Sequence, residues 1–303
     1  MGPCEQKNCL IMKIIILVFT LSLTFVLSAQ ENGIMFTEDF ESASKEEMLL
    51  KWNDSYNTEG MMFSSDVPSG SKGKQSLMMT YKPGSDSGGY LYKMFPEGFD
   101  TLYARFYVKF ITNYSQIHHF SGMGGYNPPS EWSVGRAGIR PKGNEKFNSG
   151  IEPNGDNGTW DFYTYWMSMH GYADPEYFWG NSFNPDPPAK VPFREWICVE
   201  IMIILNNPVE QSNGEQAFWI DGKEIIHLGR GFPSGYWKWD RFIPSAGEGR
   251  FEGFQWRSND SLKINYFKLS YYMTKGKPGE IDKVLFDDVV VSTNYIGPLK
   301  EDL

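Results

Sequence analysis

Hydrophobic and polar positions alternate with a period of two through much of the chain. Leu102 to Ile111 (LYARFYVKFI) and Ser76 to Tyr81 keep that period, as strands with one face in a core do. Trp196 to Leu205 is instead apolar almost throughout and rich in branched side chains, the pattern of a strand covered on both faces. Ala217 to Ile220 and Lys223 to Leu228 flank Asp221-Gly222, a pair suited to a tight hairpin turn. Phe251 to Trp256, Leu262 to Tyr272 and Val284 to Ser292 predict further strands. Helical spacing is confined to Ser44 to Trp52, with Ser44 as cap and Glu47 three residues on. Many strands divided by Gly, Pro and Asn turns predict an all-β sandwich. No repeat or linker divides it, and the Pro-rich stretch Asn184 to Pro192 reads as a loop within it.

The first residues break this pattern. Lys13 precedes an uncharged apolar run from Ile14 to Leu27, followed by Ser28-Ala29 and a polar stretch, with Met12 as an alternative start. A basic start, a short apolar run and a small-residue exit predict a signal peptide over 1–29 and a single domain over 30–303. The competing reading is an uncleaved anchor, but the run falls short of the ~20 residues that span a bilayer. The expected location is therefore secreted, periplasmic or cell-surface, with no membrane span after the leader is removed. Cys4 and Cys9 leave with the leader, so Cys198 stands alone within an apolar strand, as a buried thiol with no disulfide. No lipid-anchoring Cys follows the leader.

A formal net charge of −9 argues against a general nucleic-acid binder, which needs a basic face. The aromatic content, 16% with ten Trp, exceeds what a core alone explains and suits a surface that stacks on sugar rings. Motifs for a zinc protease, a nucleotide hydrolase, a serine esterase or a thiol redox site are missing. The paired-carboxylate strand of jelly-roll glucanases has its nearest approach in Glu280-Ile281-Asp282, with Leu285 where the second Glu belongs. What remains is a set suited to moving protons. Three of the four His (His118, His119, His170) lie between Tyr114 and Gly171 with Arg136, Arg140, Lys142, Glu152, Tyr163 and Tyr165, whereas His227 ends a hairpin strand and reads as structural. In a strand, Arg136 and Arg140 would share one face across Gly138. Tyr163 and Tyr165 would share another, opposite Trp166 and His170. Such faces fit an anionic, ring-shaped ligand.

The order LYARFYVKF, HHFSGMGG, RAGIRP, WDFYTYW, WICVEIMIIL and WIDG resembles the concanavalin-A-like jelly-roll polysaccharide lyases, among them glucuronan and alginate lyases. The resemblance implies a jelly-roll β-sandwich and β-elimination on a uronate-containing, anionic polysaccharide, with no essential cofactor. It makes His119 or His118 the base, Tyr163 or Tyr165 the acid, and Arg136 or Arg140 the group that neutralises the carboxylate. Lys142, Glu152, Trp166 and His170 would bind substrate. FTEDFE (from Phe36) and FDDVVVS (from Phe286) resemble the paired first and last strands of such folds. Their Glu38, Asp39, Asp287 and Asp288 are candidate ligands of a structural calcium, or else solvated turn and edge residues. Two other functions use the same features: a lectin-like domain that binds sugar without turnover, and a glycoside hydrolase whose carboxylate pair is drawn from Glu131, Glu152, Asp156, Asp161 and Glu176. A structural envelope protein is a further alternative.

Overall fold

A computed structural model describes residues 33–82, 87–112, 117–135, 137–154, 158–172, 178–273 and 281–300. The leader expected over 1–29 lies outside them. No helix among the described residues is long and apolar enough to cross a membrane.

The strands follow in chain order. The first six are Ile34–Glu38 (β1), Asp54–Tyr56 (β2), Met61–Ser64 (β3), Ser76–Tyr81 (β4), Ser87–Phe99 (β5) and Thr101–Phe110 (β6). Next come Ile117–His119 (β7), Gly122–Tyr126 (β8), Lys146–Asn154 (β9), Thr159–Tyr165 (β10), Asn181–Phe183 (β11) and Ile197–Ile204 (β12). Glu215–Ile220 (β13), Lys223–Leu228 (β14), Gly235–Lys238 (β15), Arg241–Pro244 (β16), Ile264–Met273 (β17) and Asp282–Ser292 (β18) complete the set. Two sheets result, a jelly-roll β-sandwich. One runs β14-β13-β12-β6-β18-β4-β3 with β1 on β18, and the other β15-β16-β11-β10-β9-β8-β17-β5-β2 with β7 on β17. The core lies between them, where Phe106 of β6 meets Phe267 of β17 at 6.2 Å and Phe162 of β10 meets Phe218 of β13 at 5.1 Å. These rings are almost wholly buried, so their transfer from water is the main force holding the layers together.

Most expected strands occur where the pattern places them. β1 and β18 pair antiparallel, Thr37 opposite Val290, as the likeness of their sequences implied. The β13–β14 turn has Asp221 at φ 50° and Gly222 at φ 77°, the left-handed pair a two-residue hairpin requires. β12 is covered on both faces because the end of the chain crosses its outer one. There the Ile296 and Gly297 amides donate to the Glu200 carboxylate, each at 2.7 Å, and the Leu299 amide donates to Tyr107 Oη at 2.9 Å. Cys198 is buried beneath that segment, and burial pushes its thiol up to about 12.

Two expectations need correction. The helix is only Lys45–Leu49; Ser44 Oγ does accept from the Glu47 amide at 3.2 Å. Beyond it, Leu50, Lys51 and Trp52 bond back three residues and tighten the turn before Asn53 enters the sheet. Phe251 to Trp256 is no strand. Gly253 at φ 84° breaks the extended chain, and Phe251, Phe254 and Trp256 all turn into the core.

Candidate functional site

The ten-stranded sheet carries a cleft of about 190 Å³ on the face turned away from the core. Strand alternation decides what lines it. In β9, Phe147, Ser149 and Ile151 are buried, which turns Lys146, Asn148, Gly150 and Glu152 to the cleft. In β10, Trp160, Phe162 and Thr164 face inward, leaving Tyr163 and Tyr165 on the cleft side. In β17, Phe267 and Leu269 are core, and Tyr266 and Lys268 face out. Register then aligns two rows across the strands. Tyr163, Gly150, Gly122 and Lys268 form one; Tyr165, Asn148, Gly124 and Tyr266 form the next. Gly150 and Gly122 leave a bare floor in the first row, between Tyr163 and β17, while in the second the Tyr266 side chain lies over Gly124. At Gly124 glycine is obligatory, since a Cβ would run into the Phe147 carbonyl and the Tyr266 hydroxyl.

His119, at the end of β7, stands over one side of this floor. Its Nδ1 is 3.5 Å from Glu152 Oε2, and its ring lies 5.3 Å from that of Tyr163 and stacks on Tyr272 at 5.6 Å. Tyr163 Oη and Tyr165 Oη are 3.4 Å apart. Lys268 Nζ lies 3.4 Å from Ser133 Oγ and 5.6 Å from the Tyr90 ring centre. Burial, with the Lys268 charge adding to it, lowers His119 to about 4, so the imidazole is uncharged at neutral pH. Burial also lifts the Glu152 carboxyl well above the usual carboxylate range. Tyr163 is held protonated by burial first and then by Tyr165. Lys268 is lowered by burial to about 8, partly offset by Asp54, and so stays mostly charged at pH 7. The cleft thus presents a neutral imidazole, a protonated phenol and an ammonium around one open floor. These are the parts of a proton-transfer site with a place for an anion.

Of the residues the sequence singled out, His119, Glu152, Tyr163 and Tyr165 come together here. His118 is exposed beside His119, their rings 4.3 Å apart, and is not part of the lining. Arg136 lies outside the described residues. Arg140 lies on no strand: Gly138 (φ 78°) and Gly143 (φ 82°) turn residues 137–143 through a loop. Arg140 is exposed in that loop, its Nε donating to the Met167 carbonyl at 2.7 Å and its guanidinium over Phe178, away from the cleft. Lys142 is exposed in the same loop and does not line the cleft either. Trp166 is fully buried, its Nε1 donating to Asn181 Oδ1, so it is core and no sugar platform. His170 stacks on Trp237 at 3.9 Å and reaches Glu252 at 3.2 Å, also outside the cleft.

Of the four acidic residues proposed for calcium, Asp288 and Asp39 lie close enough to Asp287 to act on its charge. Glu38 Oε1 is taken by Lys51 Nζ and the Phe40 amide, both at 2.9 Å. Glu38 Oε2 and one oxygen each of Asp287 and Asp288 are buried without a partner, while no group of three or more His, Cys, Asp or Glu among the described residues is arranged to hold a metal. Burial, then the neighbouring Asp288, raises Asp287 to about 8.

Sequence reasoning missed Lys146, Asn148, Lys268 and the glycine floor. Lys268 had a legible signal, being the one charged side chain inside the otherwise apolar and aromatic stretch Ile264–Met273.

No protein-family model matches the chain, and no curated protein matches it as a relative. Solved structures do. The alginate lyase vAL-1 from Chlorella virus superposes with a TM-score of 0.57 at 15% identity, covering 86% of this chain and 99% of that one. The alginate lyase Aly36B, as a double variant with Lys→Ala and Tyr→Ala changes in complex with alginate tetrasaccharide, gives 0.54 at 14% identity, over 86% and 94%. The fold is that of these jelly-roll lyases. The cellulose-induced protein Cip1 shares it too, with a TM-score of 0.50 at 15% identity over 87% and 100%, so the fold by itself does not select a reaction.

Proposed function

We propose that the protein is an exported polysaccharide lyase that cleaves a uronate-containing chain by β-elimination in this cleft. The observation that carries the reading is the neutral His119, protonated Tyr163 and cationic Lys268 gathered around a floor without side chains. The glycines make room for a sugar ring to lie flat against the sheet. Lys268 neutralises the uronate carboxylate, the part the sequence suggested for an arginine. His119 takes the ring proton next to that carboxylate, and the electron pair left on carbon spreads into the neutralised carboxylate. The pair then forms the ring double bond as the glycosidic C–O bond breaks, and Tyr163 gives its proton to the leaving oxygen. Tyr165, 3.4 Å from Tyr163 Oη, positions that hydroxyl. The likeness to alginate lyases, one of them holding an alginate tetrasaccharide, supports an anionic polysaccharide as substrate.

A hydrolase reading has one observation in its favour: Asp161 and Glu152 stand directly opposite each other on β10 and β9. Burial raises both carboxyls well above the usual range, however, which works against an ionised nucleophile or base. The test is to incubate the mature protein with polymannuronate, polyguluronate and polyglucuronate and follow the ultraviolet absorbance of unsaturated ends. The expected result is a rise with one polymer. Tyr163→Phe and His119→Ala should each lower it roughly 100-fold or more, the usual worth of a positioned acid or base. New reducing ends without unsaturation would replace this reading with hydrolysis. Binding of the polymers without any product would replace it with a lectin.

A further inference from the structure

The row that holds Tyr163 continues past the cleft. Tyr163 pairs with Ser182 of β11, Ser182 with Arg241 of β16, and Arg241 with Lys238 of the edge strand β15. Phe242, next to Arg241, is core, so alternation turns the exposed Arg241 to the same face as Tyr163. A second hollow of about 330 Å³ opens there, between the start of β10 and β16. Arg241, Lys190 and Asn184 line it above Thr159 and Trp160. Asp161 is buried between Tyr163 and the start of β10. It faces Glu152 on one side, and on the other its Oδ2 is 3.5 Å from Asn184 Nδ2. Burial and Glu152 raise the Asp161 carboxyl well above its ordinary range, and the neighbouring Arg241 charge opposes that rise.

We propose that this hollow is a second uronate-binding site for the same polysaccharide chain, with Arg241 and Lys190 holding a carboxylate. The proposal rests on the lyase reading of the first cleft and extends it. Two strand spacings, roughly 10 Å, separate Tyr163 from Arg241, which is the length of about two linked pyranose rings. From Gly150 the span is three spacings, roughly 14 Å, so a chain lying across the strands with one uronate over the glycine floor brings another, about three residues along, over Arg241. A guanidinium matches a carboxylate with two parallel hydrogen bonds, which a neutral sugar cannot supply. The site accordingly selects chains that are anionic at both positions and favours attack within a polymer over attack on a short end.

Calorimetric titration with oligomannuronate and oligoglucuronate of two to six units tests this, using Tyr163→Phe protein so that ligand is not consumed. Adding Arg241→Ala should weaken hexasaccharide binding about tenfold, the worth of one charge-assisted hydrogen bond, and disaccharide binding less than twofold. Lys190→Ala should act in the same direction, and Arg241→Lys should fall between. A melting curve for each variant confirms folding, which an exposed Arg241 makes safe. Equal loss at every chain length, or no loss at all, overturns the second site. Failure of the lyase reading shows separately, as wild-type protein that binds with this length dependence yet makes no unsaturated ends.

Discussion

Lys268 and the His119–Glu152 pair set opposite limits on the pH at which the cleft can work. Lys268 must keep its proton to neutralise a carboxylate, and burial has brought it down to about 8. The expected kcat/KM falls as pH rises through that value. Lys268→Arg, always charged, should carry activity past it if the larger head is tolerated. On the acid side His119 accepts at Nε2 only while Nδ1 carries the hydrogen and Glu152 accepts it. With the Glu152 carboxyl raised, the limb reports the pair and not the imidazole alone. Glu152→Gln, whose amide oxygen accepts from Nδ1–H at any pH, should move the limb down toward the His119 value of about 4. A pH–rate profile that Glu152→Gln leaves in place would remove the pair from the mechanism. His119, Glu152, Tyr163 and Tyr165 were legible in sequence because they fall within one segment and alternate in phase. Lys268 stood out only as a lone charge in its strand, and its place among them was hidden, since it reaches them only through the β17–β8 pairing, more than a hundred residues further along the chain.

The element that shapes the cleft is the pair β8–β9, whose glycines do opposite jobs under similar appearance. In Gly122-Met123-Gly124 the backbones of neighbouring strands leave no room for a side chain, and at Gly150 the nearest atom to an added Cβ is the Ser121 carbonyl oxygen at 3.4 Å. Gly124→Ala should therefore lower the melting temperature by several degrees, as about 1–3 kcal/mol of overpacking does in a domain this size. Gly150→Ala should leave stability nearly unchanged and raise KM, because the methyl group stands where the sugar ring would lie. The same thermal melt and the same saturation curve check both. If Gly150→Ala melts early with normal KM, the glycine floor is a packing device and no part of the cleft. At this scale the sequence was informative about strands and less so about breaks. HHFSGMGG gave the right element but no reason for its glycines, and Gly253 ended an otherwise convincing strand at Phe251 to Trp256.

Across the whole molecule the two sheets are not equally finished. The ten-stranded sheet keeps its outer face for the cleft, whereas the eight-stranded sheet has part of its outer face covered by residues 293–300. That covering explains why Trp196 to Leu205 read as apolar on both sides, although nothing in the pattern said what would lie over it. The contact is built on charge as well as area. Glu200 is 1% exposed, and the Ile296 and Gly297 amides are its hydrogen-bond donors. Burial raises its carboxyl, and these donors oppose that rise. Ending the chain after Asn294 removes both donors and leaves the carboxylate to water or to Arg105. The expected loss is about 1–3 kcal/mol, because an acceptor that had charged-type bonds loses them while gaining solvent. In a domain of this length that is a drop of several degrees in melting temperature. The same cut uncovers Cys198, whose thiol is now buried and held up to about 12, so its modification by a maleimide at pH 8 should speed up at least tenfold. Activity at low temperature should hardly change, since the covered strand faces away from the cleft with the core between them. Loss of activity without loss of stability would instead mean that the end of the chain communicates with the site through β12 and β6, a coupling that none of the contacts between the sheets requires.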